Sequence, residues 1–565
     1  MNADEPLAPR TARRLTAGLT LLALAAMLAG AWHRPLFMDE YNFLRNVAAF
    51  AQTRSLVPVY ALYPTFYSYL IAGPIYAVAA ALYFARGLPV SGLSDAHWLR
   101  FLFVEHVMVW TWVARLVTMA SAAATIALTL RCAGRRFRLA AFLTTAALLV
   151  LDPFGLVLAH FGLPDLPAAF LVTAALFLCW RYAQDGQRRH LGWAAFLAGL
   201  AASAKLNGAF GIVPALLAPA LGPPQDRKNW RVYGAAAALA AAGFLAGSPA
   251  LLFAPGVYAE GFAAEARVLA GGHIGAVYSR DGLWILRHLW RADPPAAALL
   301  GLGAAACLWR RRKEDALFLA LLLPALLTLG ALEKKVHVYF AVVYPAAALM
   351  AGRFVDELAG RLRTPAARGA LAVALILAFS VPFGRRYAAV LEGLKPDNTE
   401  LARSWIAARV PRGAPLLIDW AYVPRLTDQE AAARRVREAR AAGSAFAEAM
   451  ARHYRAAPVY RLIGLHQLNY DWPAVEATGA PYLITSEGCY ARYLQPGGNL
   501  PPPGNPQRAK FVRHRAFYTA LFENRSSYRP ARVFDTGQGP RVVLFERVVP
   551  AYGPLRALEP QSDRE

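Results

Sequence analysis

Two adjacent carboxylates, Asp39 and Glu40, stand in the run Phe37-Met38-Asp39-Glu40-Tyr41-Asn42-Phe43, between apolar and aromatic residues. A buried carboxylate without partners is costly, and one set beside a reacting hydroxyl is suited to take its proton. Further along come Asp165, in Phe161-Gly162-Leu163-Pro164-Asp165-Leu166-Pro167, and Lys205, followed by Leu206-Asn207-Gly208. Lys335 and His337 lie in Glu333-Lys334-Lys335-Val336-His337-Val338-Tyr339. Lysine ammonium groups are natural partners of phosphate, and His337 can bond a phosphate or ligate a metal. Carboxylate oxygens suit a hard divalent cation, which Asp165 could share with Asp39 or Glu40. Together these residues supply a base and cations for the charge of a leaving phosphate.

Each residue also has a plainer role open to it. Asp39 and Glu40 could pair with Arg34 or Arg45. Asp165 precedes an apolar run and could cap its helix. Lys205 could extend to the membrane surface, and the charges around Lys334 could be a solvated helix end. His273, flanked by glycines, could sit on a loop that closes over a substrate or on a plain flexible loop.

What must position these residues is a set of membrane helices. The 565-residue chain is 57% hydrophobic and 17% charged, with a mean hydropathy of +0.32. Its repeated apolar runs have the roughly 20-residue length that crosses a bilayer. Arg10, Arg13 and Arg14 precede the first run, Leu15 to Ala31, with no convincing cleavage site after it. That pattern reads as an uncleaved anchor with a cytoplasmic N-terminus. The net charge of +24 belongs with basic loops facing anionic lipid, which argues against nucleic acid as a partner.

The basic clusters set the parity. Arg131 to Arg138, Arg188-Arg189-His190, Arg227 to Arg231, Arg310 to Lys313 and Arg353 fall on one side. About eleven spans result, 11–13 if short segments count. Asp39, Glu40, Asp165, Lys205 and His337 then share the non-cytoplasmic side. The run Thr65 to Phe84 lies within a first external loop, 32–100, and is read as resting on the outer face. Glu105, His106 and Arg115, inside the next apolar stretch, would be costly facing lipid.

From about residue 384 the pattern changes. Short β-like runs at Pro415–Asp419, Tyr482–Thr485 and Arg541–Phe545 alternate with helical stretches, one about Thr399 to Arg409 and one opened by Thr427-Asp428-Gln429-Glu430. A compact extracytoplasmic α/β domain over 384–565 is expected, after a transmembrane domain over 1–383. Cys132, Cys179, Cys307 and Cys489 show neither metal-ligand spacing nor a disulfide pattern.

Met38-Asp39-Glu40-Tyr41, Gly162-Leu-Pro-Asp165, Ala204-Lys205-Leu-Asn207-Gly208 and Lys335-Val-His337-Val-Tyr339, the last leading into Tyr344-Pro345, occur here in order. In this the chain resembles the GT-C superfamily of polyprenyl-phosphate-dependent glycosyltransferases, in particular the protein O-mannosyltransferase and aminoarabinose-transferase branch. The resemblance implies a GT-C-like polytopic membrane fold and sugar transfer from a polyprenyl-phosphate donor to a lipid, glycan or protein acceptor. It implies Asp39 as the catalytic acid/base position and Lys205 with Lys335 and His337 as donor-phosphate contacts. Asp165 would lie close to the donor phosphate or to a divalent metal ion, whose identity stays open. The familiar Arg-Tyr pair before the late proline is replaced by Val336 to Tyr339. A transporter or lipid flippase with an external domain is the rival reading. It would place polar residues through the midplane and leave internal repeats, and none is visible.

Overall fold

The computed structural model describes residues 7–85, 95–150, 158–271, 277–278, 281–332, 334–495, 500–501, 503–505 and 507–548. It divides into two compact units, Met1–Pro396 with Glu438–Met450, and Asp397–Arg437 with Ala451–Glu565. The boundary expected at 384 thus falls after Pro396.

The first unit is helical. Its early elements are α1 (Pro9–Ala31), α2 (Met38–Thr53), α3 (Phe66–Phe84), α4 (Ala96–Glu105), α5 (Val107–Gly134) and α6 (Leu139–Val150). The central layer follows with α7 (Asp165–Asp185), α8 (Arg188–Ala204), α9 (Ile212–Leu221) and α10 (Trp230–Gly247). Then come α11 (Pro255–Gly271), α12 (Trp284–Ala292), α13 (Pro294–Arg310), α14 (Lys313–Ala331), α15 (Tyr344–Arg361) and α16 (Pro365–Glu392). Among the described residues, six helices are long and apolar enough to cross a membrane: α1, α3, α5, α7, α14 and the Pro365–Pro382 part of α16. The remaining expected spans are helices such as α6, α8, α10, α13 and α15, of 12 to 18 residues and rich in alanine. The apolar stretch from Phe101 is not one helix. It breaks at His106, between α4 and α5. The run at 65–84 forms α3, which packs against α2, α5 and α8.

Small residues bring the central helices together. A Cβ on Gly199 of α8 would overlap the carbonyl oxygen of Ala240 on α10, and one on Gly243 of α10 would overlap that of Phe196 on α8. Backbone-to-backbone packing of this kind is how helices gain contact where lipid offers no hydrophobic drive. At one end of α8, Arg188 pairs with the buried Asp226, which also accepts the Tyr182 hydroxyl at 2.7 Å. At the other end, Ser203 and Ser248 hydroxyls meet at 2.7 Å. Because α7 and α8 form a hairpin, the start of α7 and the end of α8 share one face of the unit.

The second unit is an α/β domain with a six-stranded sheet, ordered β4-β5-β3-β6-β8-β7. Its strands are β3 (Pro415–Ile418), β4 (Thr427–Asp428), β5 (Val459–Gly464), β6 (Tyr482–Ser486), β7 (Tyr528–Phe534) and β8 (Val542–Arg547). The first four pair in parallel, and β8 joins β6 and β7 antiparallel. Helix α17 (Asn398–Arg409) buries Ala402 and Ile406 against Leu416, Ile484 and Leu544. Leu401 and Trp405 flank this core, and Ala408 is exposed. Burying Ile406 contributes roughly 2 kcal/mol. The start signal at Thr427 is displaced by one residue: Asp428, not Thr427, accepts the Ala431 amide at 2.7 Å, because Thr427 and Asp428 pair with β5. The remaining helices are α18 (Gln429–Ala441) and α19 (Ala447–Ala456), whose Glu438–Ala441 and Ala447–Met450 portions fall in the first unit, and α20 (Trp472–Ala477), α21 (Glu487–Leu494) and α22 (Gln507–Phe522).

Candidate active site

Glu40 is the best-anchored residue at this face. Its Oε1 accepts Arg115 Nε at 2.8 Å and the Gly162 amide at 2.6 Å; its Oε2 accepts Arg115 Nη2 at 2.9 Å and the Phe37 amide at 2.8 Å. Both side chains are fully buried. Arg115 spends its other donors on the carbonyls of Arg34 at 3.0 Å, Pro35 at 2.7 Å and Ala31 at 3.4 Å. A guanidinium presents five donors in a rigid fork, which suits this bidentate arrangement. The partner of Glu40 is therefore Arg115 on α5, not Arg34 or Arg45, and the costly arginine of the apolar stretch is resolved. With its four acceptor sites filled, Glu40 holds the start of α2 while its half-exposed neighbour Asp39 projects from the first turn.

Gly162 makes that anchoring possible. A Cβ there would stand 2.8 Å from Ala114 Cβ and 3.3 Å from the Arg115 nitrogen, so only glycine lets the turn approach α5 closely enough for its amide to reach Glu40. Three residues on, Asp165 opens α7. Pro164, not Asp165, stands at the N-cap of that helix. Asp165 Oδ1 accepts Lys205 Nζ at 2.6 Å, with side chains 2% and 10% exposed. Lys205 interrupts the end of α8 in an extended conformation before the 3-10 helix Leu206–Gly211. Its ammonium stands 5.1 Å from the ring centre of Tyr339 and 5.8 Å from that of Tyr63. Two predicted site residues are thus bonded to each other.

The loop between α2 and α3 supplies two tyrosines that sequence reasoning passed over. Asn46 of α2 clamps it: Oδ1 accepts the amides of Val59 at 3.1 Å and Tyr60 at 2.8 Å, and Nδ2 donates to the Tyr60 carbonyl at 2.9 Å. The Thr65 amide donates to Ser248 Oγ at 3.1 Å, linking this loop to the α8 end that carries Lys205. Burial and the negative charges of Asp39 and Glu265 push the hydroxyl pKa values of Tyr60, Tyr63 and Tyr339 up. Those hydroxyls remain neutral donors. The signal available in the sequence was the cluster Tyr60-Ala61-Leu62-Tyr63 itself, beside the acidic stretch.

Lys335 lies in the two-residue strand β2 (Lys334–Lys335), paired antiparallel with β1 (Val277–Tyr278). His337 opens the 3-10 helix His337–Val342 that carries Tyr339, whose carbonyl accepts Asn207 Nδ2 at 3.2 Å. The side chains of Lys335 and His337, and all of His273 and Glu333, lie outside the described residues. Among the described residues the carboxylates expected to share a divalent metal have other partners. Asp165 is bonded to Lys205, Glu40 has both oxygens filled, and the described residues hold no group of three His, Cys, Asp or Glu side chains that could bind an ion.

These features define a polytopic helical membrane protein with a cluster of polar side chains at one end of its helices, followed along the chain by an α/β domain. The family described as dolichyl-phosphate-mannose-protein mannosyltransferase matches residues 96–253, the segment with Arg115, Asp165 and Lys205. ArnT from Cupriavidus metallidurans bound to undecaprenyl phosphate shares the fold: it is 14% identical with a TM-score of 0.51, over 95% of this chain and 98% of that one. Its apo state gives the same identity and score over 94% and 97%. The apo oligosaccharyltransferase of Archaeoglobus fulgidus is 13% identical with a TM-score of 0.44, over 85% of this chain and 70% of that one. No curated protein matches the chain.

Proposed function

We propose that this protein transfers a sugar from a polyprenyl-phosphate donor to a hydroxyl of a lipid, glycan or protein acceptor at the outer face of the cytoplasmic membrane. In this reading the N-terminus is cytoplasmic and the α/β domain extracytoplasmic. The observation that carries the proposal is the buried Lys205–Asp165 pair, set beside Tyr63 and Tyr339 on the face where Asp39 leaves the Glu40–Arg115 anchor. An ammonium held this way keeps two N–H donors for an incoming phosphate. The fold shared with a protein seen bound to undecaprenyl phosphate, and the family match across these residues, support a lipid-phosphate donor.

The chemistry assigns one task to each group. The acceptor oxygen attacks the anomeric carbon, and Asp39 takes its proton. As the new C–O bond forms, the anomeric carbon–phosphate oxygen bond breaks and its electron pair stays on the departing polyprenyl phosphate. Lys205 stabilises that charge more in the transition state than in the ground state, which is what accelerates the step. Glu40 and Arg115 position Asp39 without touching substrate. Lys335 and His337, at the base of the segment carrying Tyr339, are assigned to the same phosphate.

The deciding experiment is transfer from a panel of labelled polyprenyl-phosphate sugars by purified protein and by Asp39→Asn. Loss of transfer with an unchanged melting temperature is expected. Near-normal turnover in the variant would sink the assignment of Asp39. Failure of the unaltered protein to bind any polyprenyl phosphate would sink the function itself.

A further inference from the structure

Glu265 is 6% exposed and has no hydrogen-bond or ion-pair partner among the described residues. Its place is fixed by one face of α11. Tyr258 Oη lies 2.9 Å from Thr65 Oγ1, and a Cβ on Gly261 would overlap the Ala61 carbonyl. Glu265 continues that face one turn further, since residues three, four and seven apart stack on one side of a helix. The helix therefore lies along the 61–65 loop and carries Glu265 toward Tyr60 and Tyr63. Its charge is felt at the hydroxyls of Tyr60, Tyr63 and Tyr339, and the last two rings also border Lys205. Lys205 borders the rings of Tyr63 and Tyr339 while paired with Asp165, and Glu265 acts electrostatically on the same two tyrosines.

The oxygens of Glu265 are not among the buried side-chain atoms that lack a partner, so the carboxylate, on a side chain otherwise packed away, stays open to donors from outside the protein. Lys205 is committed to Asp165 and does not supply them. A ligand bringing several hydroxyl donors between aromatic rings would. We infer that Glu265 with Tyr60 and Tyr63 forms the subsite for the transferred sugar, the carboxylate accepting hydrogen bonds from the sugar hydroxyls while Lys205 holds the phosphate. This rests on the lipid-phosphate donor reading and adds the residue that tells a sugar-bearing donor from a bare one. The aromatic rings present apolar faces to the C–H side of the sugar ring, and the carboxylate reads its hydroxyls. A site built to pair with hydroxyls rejects ligands that lack them.

The test separates the two readings. Full-length protein in lipid nanodiscs is titrated with sugar-free polyprenyl phosphate and with polyprenyl-phosphate hexoses and pentoses, and the same titrations are run on Glu265→Gln and Glu265→Asp. The unaltered protein should bind at least one sugar-bearing donor more tightly than sugar-free polyprenyl phosphate. Glu265→Gln should reduce that preference about tenfold and leave binding of sugar-free polyprenyl phosphate within about twofold. Glu265→Asp should recover part of the preference, with the melting temperature unchanged in both. An equal loss for both ligands, or no loss for either, overturns the subsite. So does an unaltered protein that binds no sugar-bearing donor better than the bare one. Absence of binding to sugar-free polyprenyl phosphate instead overturns the donor reading beneath it.

Discussion

Arg115 and Glu40 form a bidentate pair at 2.8 and 2.9 Å with both side chains fully buried. It joins α5 to the start of α2, and through Gly162 it also joins the turn that leads to Asp165. Removing one partner leaves the other as an uncompensated buried charge. Glu40→Gln and Arg115→Leu are each expected to destabilise the protein by about 3–5 kcal/mol, read as a fall in melting temperature in detergent. Arg115→Lys should recover little, because an ammonium cannot reach both carboxylate oxygens and three carbonyls at once. Asp39→Asn, by contrast, should leave the melting temperature where it is.

Lys205 and Asp165 differ from that pair in the function proposed for them, which gives Lys205 a phosphate to hold. Lys205→Ala strands the Asp165 carboxylate and should both lower the melting temperature and weaken binding of polyprenyl phosphate more than binding of acceptor. The double variant Lys205→Met with Asp165→Leu removes both charges and should regain stability without regaining donor binding. Recovery of both properties would reduce Lys205 to a structural lysine.

Gly162→Ala forces a Cβ to within 2.8 Å of Ala114 Cβ and against the α5 backbone. The turn must retreat, lengthening the amide contact to Glu40. A cost of about 1–3 kcal/mol is expected, with transfer reduced more than donor binding, measured as a fall in kcat.

In the α/β domain, His514 is 4% exposed with its ring centre 3.8 Å from that of Tyr470. Burial first, then the positive charges of Lys510, Arg513 and Arg492, push its pKa down from the usual 6.5 to about 4. The folded domain holds this imidazole neutral, while the unfolded chain takes a proton once pH falls below about 6.5. Stability is therefore full above that pH, declines as pH falls toward about 4, and is lost no further through this group below it. Amide protection across α22, corrected for intrinsic exchange, should fall between pH 7 and pH 5, and His514→Phe should flatten that dependence.

Because Asp165 and Glu40 are occupied by a lysine, an arginine and two amides, transfer by the purified protein is expected to be the same with and without a chelator. A loss of activity restored by added divalent ion would require Asp165 to leave Lys205.

The sequence by itself determined the class and much of the layout. Apolar runs of bilayer length and the basic loops between them forced a polytopic helical protein, because lipid tolerates little else. The same alternation led to the expectation that Asp39, Glu40, Asp165 and Lys205 share one face, without requiring the last two to meet. In the α/β domain, the runs Pro415–Asp419, Tyr482–Thr485 and Arg541–Phe545 were legible between turns, and β3, β6 and β8 fall on them with ends shifted by one or two residues. The strands β5 and β7 were not, since β5 carries Arg461 and β7 carries Arg529, Pro530 and Arg532, and neither alternates cleanly.

The division of labour inside the site was decided only by the tertiary structure. Adjacent carboxylates look alike in sequence; Arg115, distant in the chain, makes Glu40 a buried anchor while Asp39 beside it stays half-exposed. Asp165 reads equally as a helix cap or a ligand until Lys205 arrives across the hairpin. In sequence Glu265 is only one acidic residue among several between Ala254 and Pro294; Gly261 and Tyr258 fix which face of α11 lies on the tyrosine loop. Periodicity and charge are local and survive in the sequence. Pairing across the bundle depends on which glycines and hydroxyls let two backbones touch, and that is settled only when the helices pack.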